Sequence, residues 1–257
     1  MAKIVESQWV AERLGGAEIL LVDPRRPMKY LSGHLPGAIN VPVYQAFGPD
    51  GRLLEADALA DFLGRSGVSD STAAVLYDSP EGQNAAMLAW ILEYLGHTNI
   101  CVMDALFEAW KAEGREVLYK PVAAGAARFN AKVNPAIRAT LDLVRNPGHS
   151  LIDFRSREEF SGERTVGDDS PGHIPGAVNL VWRDLSDPPG RILKPAGEIE
   201  HMLTVAGVAP GAPLIAYCRS GPRAALGYLA LRELGREVRL FDGSYAQWSR
   251  AGLPAEK

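Results

Sequence analysis

The segment Gly33-His34-Leu35-Pro36-Gly37-Ala38-Ile39-Asn40 returns 139 residues later as Gly172-His173-Ile174-Pro175-Gly176-Ala177-Val178-Asn179. Eight consecutive positions that match or exchange conservatively do not arise by chance, so the chain is expected to hold two copies of one domain. Other pairs keep nearly the same spacing: Gly67-Val68 and Gly207-Val208 lie 140 residues apart, while Asp104 and Asp242, and Trp110 and Trp248, lie 138 apart. For Asp23 and Asp153 the spacing is 130, which places about nine extra residues in the second copy, within Ser161 to Pro171. A length of 257 residues accommodates two such domains. The pattern lapses into Pro, Ala and Gly between Tyr119 and Val133, giving a first domain over 1–122, a linker over 123–133 and a second domain over 134–257. Asn134-Pro135 has the residue types of an N-cap and first turn, so a helix is expected to start there.

Within each copy, short apolar runs alternate with helical patterns, the signature of βα units around a mainly parallel sheet flanked by helices. Ile19-Leu20-Leu21-Val22, Ala74-Val75-Leu76-Tyr77 and Ile100-Cys101-Val102-Met103 are the expected strands of the first copy. Leu151-Ile152, Leu214-Ile215-Ala216-Tyr217 and Val238-Arg239-Leu240-Phe241 are those of the second. Leu226, Leu229, Ala230 and Leu234 mark one face of a helix between the last two. The fold class is therefore α/β.

Several function classes are disfavoured by composition. With 47% hydrophobic and 23% charged residues, the chain can bury ordinary cores and is not expected to be disordered. Met1 to Ser7 carry no apolar leader, and no run approaches the roughly 18 apolar residues of a membrane span, so a cytoplasmic location without membrane association is expected. The net charge is −5 through Phe129 and +1 thereafter, with no basic block, which argues against a nucleic-acid partner. Two cysteines make no disulfide framework, and with no CxxC and no metal-ligand spacing no metal is expected.

In open α/β sheets, ligands bind beyond the carboxyl ends of the strands. After Tyr217 come Cys218-Arg219-Ser220-Gly221-Pro222-Arg223 and then a helical pattern. A short loop at a helix N-terminus offers backbone N–H groups and positive potential to an anion, and with Arg219 and Arg223 nearby it favours a thiolate at Cys218. The first copy has Asp78-Ser79-Pro80-Glu81-Gly82-Gln83 at this place, where Asp78 is expected to cap the following helix. Cys101 falls inside a strand pattern and is expected to be structural.

The two GH(L/I)PGA(I/V)N turns, the CRSGPR loop and Asp242-Gly243-Ser244-Tyr245 with Trp248 together resemble the tandem-domain rhodaneses, the thiosulfate and 3-mercaptopyruvate sulfurtransferases. The resemblance covers nearly the whole chain. It implies two rhodanese-like domains, an inactive first one and a second in which Cys218 carries sulfur as a persulfide. The implied partners are a small anionic sulfur donor and a thiophilic acceptor such as cyanide, with a protein thiol as an alternative acceptor. Arg219, Ser220, Gly221, Pro222 and Arg223 would form the binding loop, with Asp153, Asp242, Asp23, His34 and Arg164 in support.

The donor is left open. Thiosulfate enzymes of the family often have a basic residue two positions after the cysteine and an arginine before the aromatic residue that precedes the insertion; here these are Ser220 and Glu159. Arg164, in the insertion, is a candidate to supply one charge. Mercaptopyruvate enzymes resemble C-G-S/T-G-V-T and pair the hydroxyl residue with a His and an Asp of the first domain; Ser220, His34 and Asp23 match these, and Arg219 departs. Arg219 and Arg223 sit closer to the thiosulfate-type loops, which puts thiosulfate first. Pro222 departs too, since it has no N–H to donate. Related phosphatases use C-x5-R, whereas only four residues separate Cys218 from Arg223, a smaller cradle that fits one sulfur better than a phosphate. A non-enzymatic sulfur carrier is the remaining alternative.

Overall fold

The computed structural model describes residues 2–146, 148–187 and 190–257. The chain divides into two compact units, Met1–Asn134 with Asp187–Ile192, and Pro135–Ser186 with Leu193–Lys257.

In the first unit, β1 (Lys3–Val5), β2 (Ile19–Asp23), β3 (Ile39–Asn40), β4 (Ala73–Leu76) and β5 (Ile100–Met103) form one sheet in the order β1-β5-β4-β2-β3. Every pairing is parallel, with Leu21 opposite Val75 and Val75 opposite Cys101. Its helices are α1 (Ser7–Ala11), α2 (Pro27–Leu31), α3 (Ala56–Arg65), α4 (Gln83–Tyr94) and α5 (Phe107–Ala112). The second unit has α6 (Leu141–Arg145), β6 (Ser150–Asp153), α7 (Arg157–Ser161), β7 (Val178–Asn179), α8 (Ala196–Val205), β8 (Leu214–Tyr217), α9 (Pro222–Glu233), β9 (Val238–Leu240) and α10 (Ser244–Arg250). Its sheet, β7-β6-β8-β9, is also parallel throughout.

The repeat is reproduced in the cores. Leu35, Val75, Tyr77, Phe107 and Trp110 of one cluster correspond to Ile174, Ile215, Tyr217, Tyr245 and Trp248 of the other. Parallel strands covered on both faces must be apolar throughout, which is why β4 and β8 are continuous apolar runs.

Three expectations change. The helix containing Leu226 and Leu229 has no exposed face along its centre, because Ala224 through Leu231 are all buried. Gly227 makes this possible: a Cβ there would lie 2.3 Å from the Phe154 ring, so only glycine allows α9 to lie this close. Asn134-Pro135 does not begin an α-helix. Pro135–Ile137 form a short 3-10 turn, Ala139 N–H then bonds Leu240 O at 2.9 Å, and α6 starts only at Leu141 with Thr140 as its cap. The stretch over 123–133, expected to be a linker, lies along the first unit: Ala127 N–H bonds Gly64 O and Lys132 N–H bonds Leu95 O, both at 2.8 Å, and Phe129 is buried.

Candidate active site

Cys218 follows β8 directly, and after three intervening residues α9 begins with Pro222 at its first position, where a missing N–H breaks no helical bond. The turn closes through Gly221 at φ +107°, a backbone region that favours glycine, and its N–H points at Cys218 Sγ over 3.2 Å. Ser244, at the head of α10, approaches from the other side. Its Oγ accepts the Cys218 N–H at 3.2 Å, donates to Phe241 O at 2.7 Å and lies 4.0 Å from Sγ. Tyr245 N–H to Cys218 O and Ala246 N–H to Arg219 O, both 3.0 Å, pin the turn to α10. Cys218 and Ser244 are both buried.

Arg219 and Arg223, expected from sequence beside the thiol, are each held by a carboxylate. Arg219 Nε donates to Asp169 Oδ2 at 2.8 Å and its Nη2 to Val166 O at 3.1 Å. Arg223 forms a two-pronged pair with Glu159, at 2.6 and 3.0 Å. Glu159 also shares a capping box with Ser156 at the start of α7 and receives Arg164 Nη2 at 3.2 Å. Burial pushes the Glu159 carboxyl up, but the Arg223 hydrogen bonds and charge outweigh this and bring it down to about 2. Burial likewise opposes the Arg223 charge, yet Glu159 and the negative potential of Cys218 hold its pKa above the ordinary arginine value. Arg164, proposed from sequence as a substrate cation, thus touches Glu159 and Ser156 at the exposed end of this chain of charges. Ser220 is half-buried in the turn.

The aspartates and histidines fall into matched pairs. Asp153 is bonded by Arg155 at 2.6 to 3.1 Å, and Arg155 reaches on to Gly172 O. Asp23 binds Arg25 in the same way, and Arg25 reaches Gly33 O. Tyr77 donates to Asp23 at 2.6 Å and accepts Leu35 N–H at 3.2 Å; Tyr217 bonds Asp153 and Ile174 N–H equivalently. His34 stacks on Tyr30 and bonds its carbonyl, as His173 does with Phe160. Asp242 pairs with Arg138 at 2.7 and 2.8 Å, and Asp104 with Arg191 at 2.8 Å. Apart from the Asp104 and Asp242 pairs, whose arginines do not correspond, these contacts recur in both copies and hold the turns and strand ends in place.

The two copies differ where β4 and β8 end. Asp78 occupies the place of Cys218 and accepts N–H bonds from Ser79, Asn84 and Ala85 at 2.7 to 3.1 Å, the helix cap expected from sequence. Burial outweighs these bonds and raises its carboxyl to about 6. Phe107 N–H bonds Asp78 O as Tyr245 N–H bonds Cys218 O, which aligns Leu106 with Ser244. Cys101, buried in β5, has its thiol pushed up by that burial. Sequence reasoning took Ser244 only as part of a motif and Glu159 only as a departure. The Leu106/Ser244 difference was available from the spacing of Trp110 and Trp248.

Comparisons with known proteins agree on this architecture. The model of the rhodanese-like domain matches twice, at residues 6–113 and 138–251. The thiosulfate sulfurtransferase of Corynebacterium glutamicum is 29% identical over 96% of this chain and 87% of its own length. The sulfur carrier protein TtuD of Thermus thermophilus is 28% identical over 99% and 96%. The crystal structure of SseA from Escherichia coli, presented as a 3-mercaptopyruvate sulfotransferase, superposes with a TM-score of 0.86 at 26% identity, over 95% of this chain and 99% of SseA. Among the described residues no helix is long and apolar enough to cross a membrane. With two matched domains that together span most of its residues, the chain belongs to the rhodanese family as a tandem of two rhodanese-like domains.

Proposed function

We propose that the protein is a sulfurtransferase that moves a sulfane sulfur from thiosulfate to a thiophilic acceptor such as cyanide through a persulfide on Cys218. The observation that carries this reading is the setting of Sγ at the end of β8, with the Gly221 N–H aimed at it and Ser244 Oγ nearby. The Cys218 thiolate attacks the sulfane sulfur of thiosulfate; the S–S bond breaks and sulfite leaves with the electron pair. The acceptor then attacks the terminal sulfur, the persulfide bond breaks toward Sγ, and cyanide departs as thiocyanate. The Gly221 N–H, fixed beside a sulfur that carries negative charge in this cycle, acts as an oxyanion-hole donor does, without reorganising at each step. Neither step requires a metal or an organic cofactor.

The name of the Corynebacterium relative supports thiosulfate as donor. A second reading, 3-mercaptopyruvate as donor, is favoured by the pairing of both loop arginines with carboxylates, which leaves their charges offset before any dianion arrives. Asp23 and His34 are engaged in their own turn, so in either reading we assign them an architectural role. A protein thiol is the alternative acceptor, in line with the carrier name of the Thermus relative. Initial rates with thiosulfate and with 3-mercaptopyruvate, cyanide as acceptor and one protein sample, test the proposal. Faster turnover of thiosulfate supports the first reading. Faster mercaptopyruvate turnover replaces it with the second, and persulfide formation without turnover of small acceptors replaces both with the carrier.

A further inference from the structure

The segment from Arg157 to Pro171 does more than enclose the second copy's loop: it supplies the carboxylates that meet both loop arginines. Glu159 is the more consequential of the two. It is buried, its two oxygens are shared by both prongs of Arg223, and its backbone and side chain are locked by the Ser156 capping box. A carboxylate so tightly held is a permanent part of the site's charge and does not exchange freely with solvent ions. Arg223 stands in the first turn of α9, and the charge of Cys218 acts on it. Arg223, the loop cation on which that charge acts, is therefore met by a buried carboxylate.

We infer that Glu159 is a positioning and specificity-determining residue, which fixes Arg223 beside Cys218 while neutralising it, and so biases the site toward donors of lower negative charge. The inference rests on the sulfurtransferase reading above. Thiosulfate brings two negative charges and 3-mercaptopyruvate, as the thiol, one. Each added charge on the donor meets a potential that Glu159 has made less positive. Removing that carboxylate while keeping its shape should help the dianion more than the monoanion.

Glu159→Gln is the appropriate substitution, because glutamine also completes a capping box and still accepts one bond from Arg223. Two readouts are needed. The first is the ratio of kcat/KM for thiosulfate to that for 3-mercaptopyruvate, which should rise about five- to tenfold. The second uses no sulfur donor: the rate of alkylation of Cys218 by anionic iodoacetate relative to neutral iodoacetamide, read by peptide mass, should rise by a similar factor of about five. In an Arg223→Gln background, where the carboxylate stays and the cation is gone, both ratios should fall below those of the unmutated protein. Ser156→Ala, which weakens the cap and leaves the charges, should leave both ratios unchanged.

If Glu159→Gln lowers turnover of both donors equally and leaves the alkylation ratio flat, Glu159 is structural and the inference is overturned. A fall in either ratio on Glu159→Gln, or an equal shift with Ser156→Ala, overturns it as well. If the unmutated protein turns over neither donor, the proposed function fails instead, and the alkylation ratio still decides the role of Glu159.

Discussion

The ends of β4 and β8 are the same piece of architecture put to different uses. In both, a strand stops and a short turn leads into a long buried helix, and a carbonyl of the turn receives an amide from the next helix, Phe107 to Asp78 and Tyr245 to Cys218. In the first unit the donors at the head of α4 are consumed by the Asp78 carboxylate, so the cradle is filled by its own chain. In the second, the corresponding position carries a sulfur at which the Gly221 N–H points. Leu106 against Ser244 completes the contrast, an apolar side chain in the place of a hydroxyl that lies 4.0 Å from the Cys218 sulfur. The fold supplies the same strand-to-helix turn twice, and side chains decide what its N–H groups meet. The shared Asp-x-Arg pairs, Asp23 with Arg25 and Asp153 with Arg155, are on the architectural side of this division.

The largest effect expected from breaking the contrast is at Cys218 itself. After treatment with a sulfur donor, intact-mass measurement should show one added sulfur that cyanide removes; Cys218→Ala should abolish both the added mass and turnover, and Cys101→Ala should preserve them. The reverse pattern would reassign the site.

A second effect belongs to the first unit and is read as stability. Asp78 has its carboxyl raised to about 6 in the folded protein against 3.8 as the ordinary value. The native state therefore keeps this proton to higher pH than the unfolded chain does. Its contribution is fully present below pH 4 and is lost as pH rises through 6, by up to about 3 kcal/mol. Denaturant unfolding of the wild type and of Asp78→Asn should show a stability difference that changes in the wild type's disfavour across this window. A difference that is flat, or that grows in the wild type's favour, contradicts the buried-carboxylate account of the silent cradle.

Donor choice should respond more modestly to a cation placed in the open cradle. With Arg219 and Arg223 both paired, Ser220→Lys introduces a charge without a built-in partner. The thiosulfate-to-mercaptopyruvate ratio of kcat/KM should rise by about 1–2 kcal/mol, or roughly five- to thirtyfold. A flat or falling ratio removes Ser220 from donor selection.

The smallest effect expected is none at all. Asp78→Cys in a Cys218→Ala background should show no sulfurtransferase turnover and slow iodoacetamide labelling. Pro80 lacks an N–H, Glu81 adds negative charge, and Leu106 stands where Ser244 stands in the second copy. Measurable turnover would mean that the cradle geometry alone is sufficient.

Much of this was legible in the residues. An eight-residue repeat fixes the domain count because duplicated turns need duplicated folds, and continuous apolar runs such as Leu214–Tyr217 identify parallel strands because both faces are covered. Cys218 stood out because a strand, a glycine turn and a helix start are local events, spelled within a dozen residues. The course of residues 123–133 was not legible: Gly64 lets Ala127 pass so closely that a Cβ would lie 2.7 Å from its carbonyl oxygen, and nothing near Ala127 in sequence announces that contact.

Sequence alone therefore determined the duplicated α/β fold, a cysteine at a strand end before a helix and the absence of its equivalent from the first copy, since each depends on residues adjacent along the chain. The state of charge around the thiol was decided only in three dimensions. Arg223 and Glu159 are 64 residues apart, and Arg219 and Asp169 are 50 apart. A cation's effect depends on what lies within a few ångströms of it, and chain separation carries no information about that distance.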